Sequence, residues 1–273
     1  MAYETLNYEE ADGVAWVTLN RPDVHNAFNS VMMRELQEVW TTMRGNDDVR
    51  VAVLTGAGEK AFCTGIDRAE GVAGQAPLPG GRVVGSPGAT PFMFDDPGDV
   101  IGPKTNDLWK PVIGAVNGMA CGGAFYLLGE CDIIIASDQA TFFDPHVSYG
   151  MTASFESMHM AYKMPFGEAV RMQLLGNDER LSAKRAHEIA LVSEVVAANE
   201  LRGAAQWIAD RIAEKPPLAI QGTLRALWAA RDLPRSQALA LGYAFVKMGT
   251  NSESIKEGQR AFESGKRPKW RLR

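Results

Sequence analysis

The sequence predicts an α/β protein with a mostly parallel sheet, followed by a helical C-terminal region. Three observations lead there. Apolar runs of strand length alternate with helical patterns through the first two thirds, glycine-rich turns separate them, and from about Glu200 the pattern is helical throughout.

Taken in order, "GVAWVTLN" (13–20) alternates like a half-buried strand. "SVMMRELQEVWTTMRG" (30–45) places Met33, Leu36, Trp40 and Met43 at helical spacing, with Ser30 read as the N-cap. "VRVAVLTG" (49–56), "PVIGAVN" (111–117), "CDIIIAS" (131–137), "ATFFD" (140–144) and "LVSEVV" (191–196) read as further strands, separated by helical patterns in the manner of βαβ units. Beyond them come successive helices with Pro, Asn or Ser near their starts. The segment from 68 to 110 stands apart, because it is crowded with Gly and Pro and too long for a plain connection. It reads as a substrate-covering lid loop or a partly disordered loop, and "PFMF" (91–94), which a solvated linker rarely carries, adds weight to the lid.

Composition narrows the function. A chain of 273 residues with 46% hydrophobic residues can bury its own core without staples. No apolar run approaches the roughly 20 residues that span a bilayer, so no membrane association is expected. The opening "MAYETLNYEEADG" lacks a basic and an apolar region of the secretory kind, which points to a cytoplasmic setting. Cys63, Cys121 and Cys131 are odd in number and lack CxxC spacing, which argues for buried free thiols over a disulfide framework or zinc site. The net charge of −5 makes nucleic acid an unsuitable partner. One basic cluster, Lys266, Arg267, Lys269, Arg271 and Arg273 around Trp270, is either a solvated tail or a contact for an anionic ligand.

Two turns carry chemistry. "VNGMACGGAFYLLGECD" (116–132) runs from a strand ending at Asn117 through paired glycines to a helix expected to open near Gly122, yet no Lys-Ser or Lys-Thr follows as a P-loop requires. "VLTGAGEKAFCTGID" (53–67) makes a similar turn through Gly56, Gly58 and Gly65. The backbone N–H groups of Ile66 and Gly123 could converge on one oxygen as an oxyanion hole, each worth about 3 kcal/mol to a transition state that develops charge there. The same spacing also suits tight strand-to-helix connections with no chemistry.

"TLNRPDVHNAFN", "LTGAGEKAFCTGID" and "PVIGAVNGMACGGAFYLLGECDIIIASDQATFFDPHVSYGM", in this order, resemble the enoyl-CoA hydratase/isomerase (crotonase) superfamily, and "SIKEGQRAFESGKRPKW" resembles its last helix. The resemblance implies a crotonase-like spiral of ββα units over 1–199 and a helical trimerisation region over 200–273, assembled as a homotrimer or dimer of trimers. It implies a coenzyme A thioester as substrate, with no permanently bound cofactor and no metal. Ile66 and Gly123 would hold the thioester oxygen; Ala27, Ala61, Cys63, Asp67, Arg68 and Gly122 would line the coenzyme A path. Asp67 would also cap the helix that follows it.

The chain departs from the family where hydratases carry two glutamates. Three residues beyond the second donor stands Tyr126, and fourteen residues after Asp132 stands His146. His146 becomes the leading acid/base candidate, with Tyr126, Glu130 and Glu156 as further ones, whereas Asp144 lies too near His146 in sequence to be assumed its partner. His25, His159 and His187 read as surface or packing residues. Hydration or isomerisation of an enoyl-CoA follows from the resemblance. Retro-Claisen carbon–carbon hydrolysis or decarboxylation using His146, and a catalytically silent thioester-binding protein, remain as alternatives.

Overall fold

The computed structural model describes residues 3–71, 96–264 and 271. The chain divides into two compact units, Met1–Ala209 and Asp210–Arg273. In chain order the first holds β1 (Leu6–Ala11), β2 (Val14–Leu19), α1 (Ser30–Gly45), β3 (Val51–Gly56), β4 (Ala61–Cys63), α2 (Arg68–Gly71) and α3 (Gly98–Ile101). Then follow β5 (Val112–Val116), β6 (Met119–Cys121), α4 (Ala124–Glu130), β7 (Ile133–Ser137), β8 (Thr141–Phe143), α5 (Phe155–Lys163), α6 (Phe166–Leu175), β9 (Leu181–Ser182), α7 (Ala183–Glu188), β10 (Glu194–Val196) and the larger part of α8 (Leu201–Ala213). The second unit carries α9 (Pro217–Asp232), α10 (Arg235–Gly249) and α11 (Ser252–Glu263).

Two sheets share the strands. The larger runs β1-β2-β3-β5-β7-β10 and the smaller β4-β6-β8-β9. All pairings are parallel except β1 with β2 and β8 with β9. The chain therefore lays one strand in each sheet and then turns into helix, as β5-β6-α4 and β7-β8-α5 do; this is the expected spiral of ββα units. A single sheet does not describe it. The second-sheet strands β4, β6 and β9, and the antiparallel β1, are absent from the sequence reading.

The best-defined expectation is α1. Met33, Leu36, Trp40 and Met43 are all fully buried, and each such side chain removed from water stabilises by roughly 1.5–3 kcal/mol. Its cap needs correction: Asn29, in extended conformation, accepts from Met32 N–H, and Ser30 is the first helical residue. The residue before a first turn is the one whose side chain is free to fold back on it.

A second correction concerns the 68–110 segment. Residues 72–95, "PFMF" included, lie outside the described residues, as do Lys266, Arg267, Lys269, Trp270 and Arg273. Residues 96–110, however, anchor to the core: Ile101 and Leu108 are fully buried, and Trp40 Nε1–H donates to the Ile101 carbonyl at 2.7 Å. No helix among the described residues is long and apolar enough to cross a membrane.

Candidate active site

The two glycine turns meet. Phe28 N–H donates to the Gly65 carbonyl and Asp67 N–H to the Phe28 carbonyl, both at 2.9 Å, forming a parallel bridge between Phe28 and Ile66. In that pattern the Ile66 N–H faces away from Phe28. Gly65 has φ +84°, and a Cβ on it would stand 2.7 Å from Gly123 N, so only glycine lets the segments approach this closely. Neither Ile66 N–H nor Gly123 N–H has a protein acceptor among the described residues. The connection is also shorter than expected: β6 occupies Met119–Cys121, and α4 opens at Ala124 rather than near Gly122.

Ile66 lines a cavity of about 410 Å³ together with Ala27, Asp67 and Arg68, while Gly123 is not among the lining residues. Arg21 braces this wall, donating to the Ala27 carbonyl at 2.6 Å and pairing with Asp67 at 2.8 Å. Asp67 accepts from Ala69 N–H, capping α2. Arg180, which sequence reasoning missed, lines the same cavity. Its guanidinium lies 4.4 Å from the Phe143 ring centre, as that of Arg68 does from Tyr149, and neither has a carboxylate partner among the described residues. Ala61 and Cys63 are buried and are not among the residues lining the cavity. The Ala61 carbonyl accepts from Asn26 and Asn117 side chains, and burial pushes the Cys63 thiol up to about 12.

The acid/base candidates form a second cluster. His146 begins a 3-10 turn, 146–149, directly after β8. Its Nδ1 lies 2.5 Å from Asp144 Oδ1, and its backbone N–H donates to the same oxygen at 3.0 Å. Asp144, too near in sequence to be assumed a partner, is one: the turn folds residue i+2 back onto the carboxylate. Asp144 is fully buried, and its Oδ2 has no hydrogen-bond partner among the described residues. On the other side, His146 Nε2 stands 3.5 Å from Glu156 Oε1, an ion-pair distance. A Cβ on Gly122 would lie 3.5 Å from His146 Cε1, which places the imidazole beside the second donor turn.

Tyr126 belongs to this cluster. It lies on α4, buried, with its hydroxyl donating to Asp96 Oδ2 at 3.3 Å. Burial raises its pKa, and the charges of Glu156 and Asp96 and their hydrogen bonding to the phenol raise it further. The His146 pKa is also raised, first by the hydrogen bond to Asp144 and then by the Asp144, Glu156 and Asp96 charges, against an opposing effect of burial. The imidazolium form thus persists to higher pH than in a free histidine.

Glu130 is not brought to this cluster. Its carboxylate accepts from Lys104 N–H at 2.7 Å, Thr105 N–H at 2.9 Å and Thr105 Oγ1 at 2.5 Å, tying the end of α4 to the loop after α3. His159 packs edge-on to Tyr126 and has its pKa lowered by burial, in keeping with a packing role. Asp96 went unnoticed in the sequence because it sits in the Gly/Pro-rich stretch without a motif. No group of three or more His, Cys, Asp or Glu residues among those described is arranged to hold a metal ion.

The enoyl-CoA hydratase/isomerase family model matches residues 9–81 and 101–273. The chain is 35% identical to (E)-benzylidenesuccinyl-CoA hydratase of Thauera aromatica, over 97% of this chain and 98% of that one. It is 32% identical to short-chain-enoyl-CoA hydratase of Clostridium acetobutylicum, over 96% and 95% respectively. Among solved structures, an enoyl-CoA hydratase/isomerase from Mycobacterium paratuberculosis superposes with a TM-score of 0.85 at 36% identity, covering 100% of both chains.

Proposed function

From the premise that this chain belongs to the enoyl-CoA hydratase/isomerase family, we propose that it adds water to, or removes it from, the α,β-bond of an acyl chain carried as a coenzyme A thioester. The observation that carries this reading is the position of His146, braced by Asp144 beside Gly122 and facing Glu156. Ile66 N–H and Gly123 N–H hold the thioester oxygen, which becomes an enolate oxygen as the reaction proceeds. Each donor contributes about 3 kcal/mol.

Position supports the remaining roles. His146 adjoins the donor turn and therefore serves the α-carbon, while Glu156, 3.5 Å beyond, serves the water at the β-carbon. In hydration the Glu156 carboxylate takes a proton from water as its oxygen bonds to Cβ, and imidazolium Nε2–H delivers a proton to Cα. Dehydration runs the same steps backwards. A histidine whose pKa is raised by the Asp144 hydrogen bond suits an acid better than the base that retro-Claisen hydrolysis demands, which favours hydration over that alternative.

The cavity bounded by Ala27, Ile66, Asp67 and Arg68 receives the coenzyme A arm, with Arg68 and Arg180 facing its phosphates. Ala61, Cys63 and Gly122 shape the wall behind it. Glu130 serves the fold. Residues 200–273 form the trimerisation region, and the exposure of Leu227, Tyr243, Val246 and Phe262 on its helices supports that reading.

The test is direct. Incubation with crotonyl-CoA should remove the enoyl absorbance as hydroxyacyl-CoA forms, and a β-keto acyl-CoA should remain intact. Cleavage of the β-keto thioester without hydration would replace this reading with carbon–carbon hydrolysis. Affinity for coenzyme A without turnover of either thioester would leave a binding protein.

A further inference from the structure

His146 sits in the middle of a segment held by three residues of the cavity wall. Three positions before it, Phe143 closes β8 and carries the Arg180 guanidinium over its ring. Three positions after it, Tyr149 ends the 3-10 turn and carries the Arg68 guanidinium, at the same 4.4 Å. Between the two, Ser148 Oγ accepts from Asn177 N–H at 2.8 Å. Arg68, Asn177 and Arg180 all line the one cavity.

The two rings are not equivalent. Phe143 is 5% exposed and is fixed by its packing, whereas Tyr149 is 53% exposed and lacks that packing over half its surface. Arg68, for its part, stands two residues after the donor Ile66, on a backbone braced by the bridge to Phe28 and by the Arg21–Asp67 ion pair at 2.8 Å. The Arg68–Tyr149 stack therefore runs across the cavity from a well-held segment to a less supported one.

A guanidinium meets a ring with its face and an anion with its edge, so Arg68 can hold Tyr149 and a phosphate at once. A phosphate on that edge fixes the plane of the group, and the ring beneath it follows. We infer that Tyr149 is a positioning residue: through Arg68 it ties the phosphate end of the coenzyme A arm to the turn that carries His146. The inference rests on the reading of the cavity as the path of that arm and of His146 as the acid. A thioester that bears the phosphates then finds the imidazole in place, and one without them finds a looser turn. Part of the arm's binding energy is thus expressed in kcat and not only in KM.

Crotonyl-CoA and crotonyl-pantetheine, the same thioester without phosphates, report this coupling as a ratio of kcat values. Tyr149→Leu keeps the Arg68 charge and removes the ring, so the ratio should fall about fivefold from that of the wild type, the size of one exposed cation–π contact. Tyr149→Phe keeps the ring face and should retain the wild-type ratio. A second readout needs no turnover. With isotope-labelled histidines, saturating adenosine bisphosphate of the kind that ends the arm should shift the His146 ring signals in the magnetic resonance spectra of the wild type and Tyr149→Phe. In Tyr149→Leu it should leave them in place. A kcat ratio unchanged in Tyr149→Leu, with KM alone raised, would make Tyr149 a wall of the cavity and overturn the inference. His146 signals that stay put in the saturated wild type, or a nucleotide that does not bind at all, would overturn it too. Should the wild type turn over no thioester, the hydration reading fails while the nucleotide titration still decides the coupling.

Discussion

Glu130 and Glu156 are both buried glutamates close to α4, and they have opposite surroundings. Glu130 accepts hydrogen bonds from two backbone N–H groups and a hydroxyl, all from Lys104 and Thr105. Glu156 receives no backbone hydrogen bond among the described residues and faces an imidazole and a phenol. The difference teaches how to read a buried carboxylate: fixed donors anchor a chain, whereas titratable neighbours move protons. Burial alone does not separate them, because both are less than a tenth exposed.

Mutagenesis can break that comparison. Glu156→Gln should lower kcat by roughly 10²–10⁴-fold while leaving the melting temperature nearly unchanged, as steady-state kinetics and calorimetry on one preparation would show. Glu130→Ala should do the reverse. It strands three donors, so stability should fall by about 3 kcal/mol, visible as a loss of several degrees in Tm, with kcat per folded molecule within a few-fold of wild type. If Glu130→Ala proved inactive at full stability, the division of labour between the two glutamates would be wrong.

Smaller effects sharpen the comparison. Asp144→Asn removes the first cause of the raised His146 pKa, so the imidazolium should be lost at lower pH. With His146 in the proposed acid role, activity falls as pH rises through its pKa, and the alkaline limb of kcat/KM should move down. The stability that this pair adds is fully present below the unfolded histidine value near 6.5 and is lost as pH rises through the higher folded value. Denaturation at pH 6 and pH 9 should therefore show a larger deficit for Asp144→Asn at pH 6. The smallest effect concerns Cys121, which lines the cavity with its thiol pushed up to about 12 by burial. Iodoacetamide at pH 8 should leave activity unaltered, since only about one thiol in ten thousand is ionised there.

Much of this molecule was legible in the residues. Helix α1 was, because four large apolar side chains recur at its period, and the long strands were, because their apolar runs are bounded by turns. Most of the second sheet was not: apart from β8, its strands, such as β6 and β9, are too short to show a period and form only because neighbours pair with them. In the site, His146, Tyr126 and Glu156 could be singled out from spacing and family resemblance. Asp144 was visible two residues from His146 and set aside, since only the 3-10 turn shows the side chain folding back. Asp96 carried no local signal, as its meeting with Tyr126 is made by α3 packing under Trp40.

The central claim is that amides from two separate turns hold one thioester oxygen. The most direct measurement is a crystal structure with a saturated acyl-CoA bound. This account predicts the carbonyl oxygen within about 3 Å of both Ile66 N and Gly123 N. A carbonyl bound to other donors, with these two N–H groups on opposite sides of the acyl chain, would contradict it.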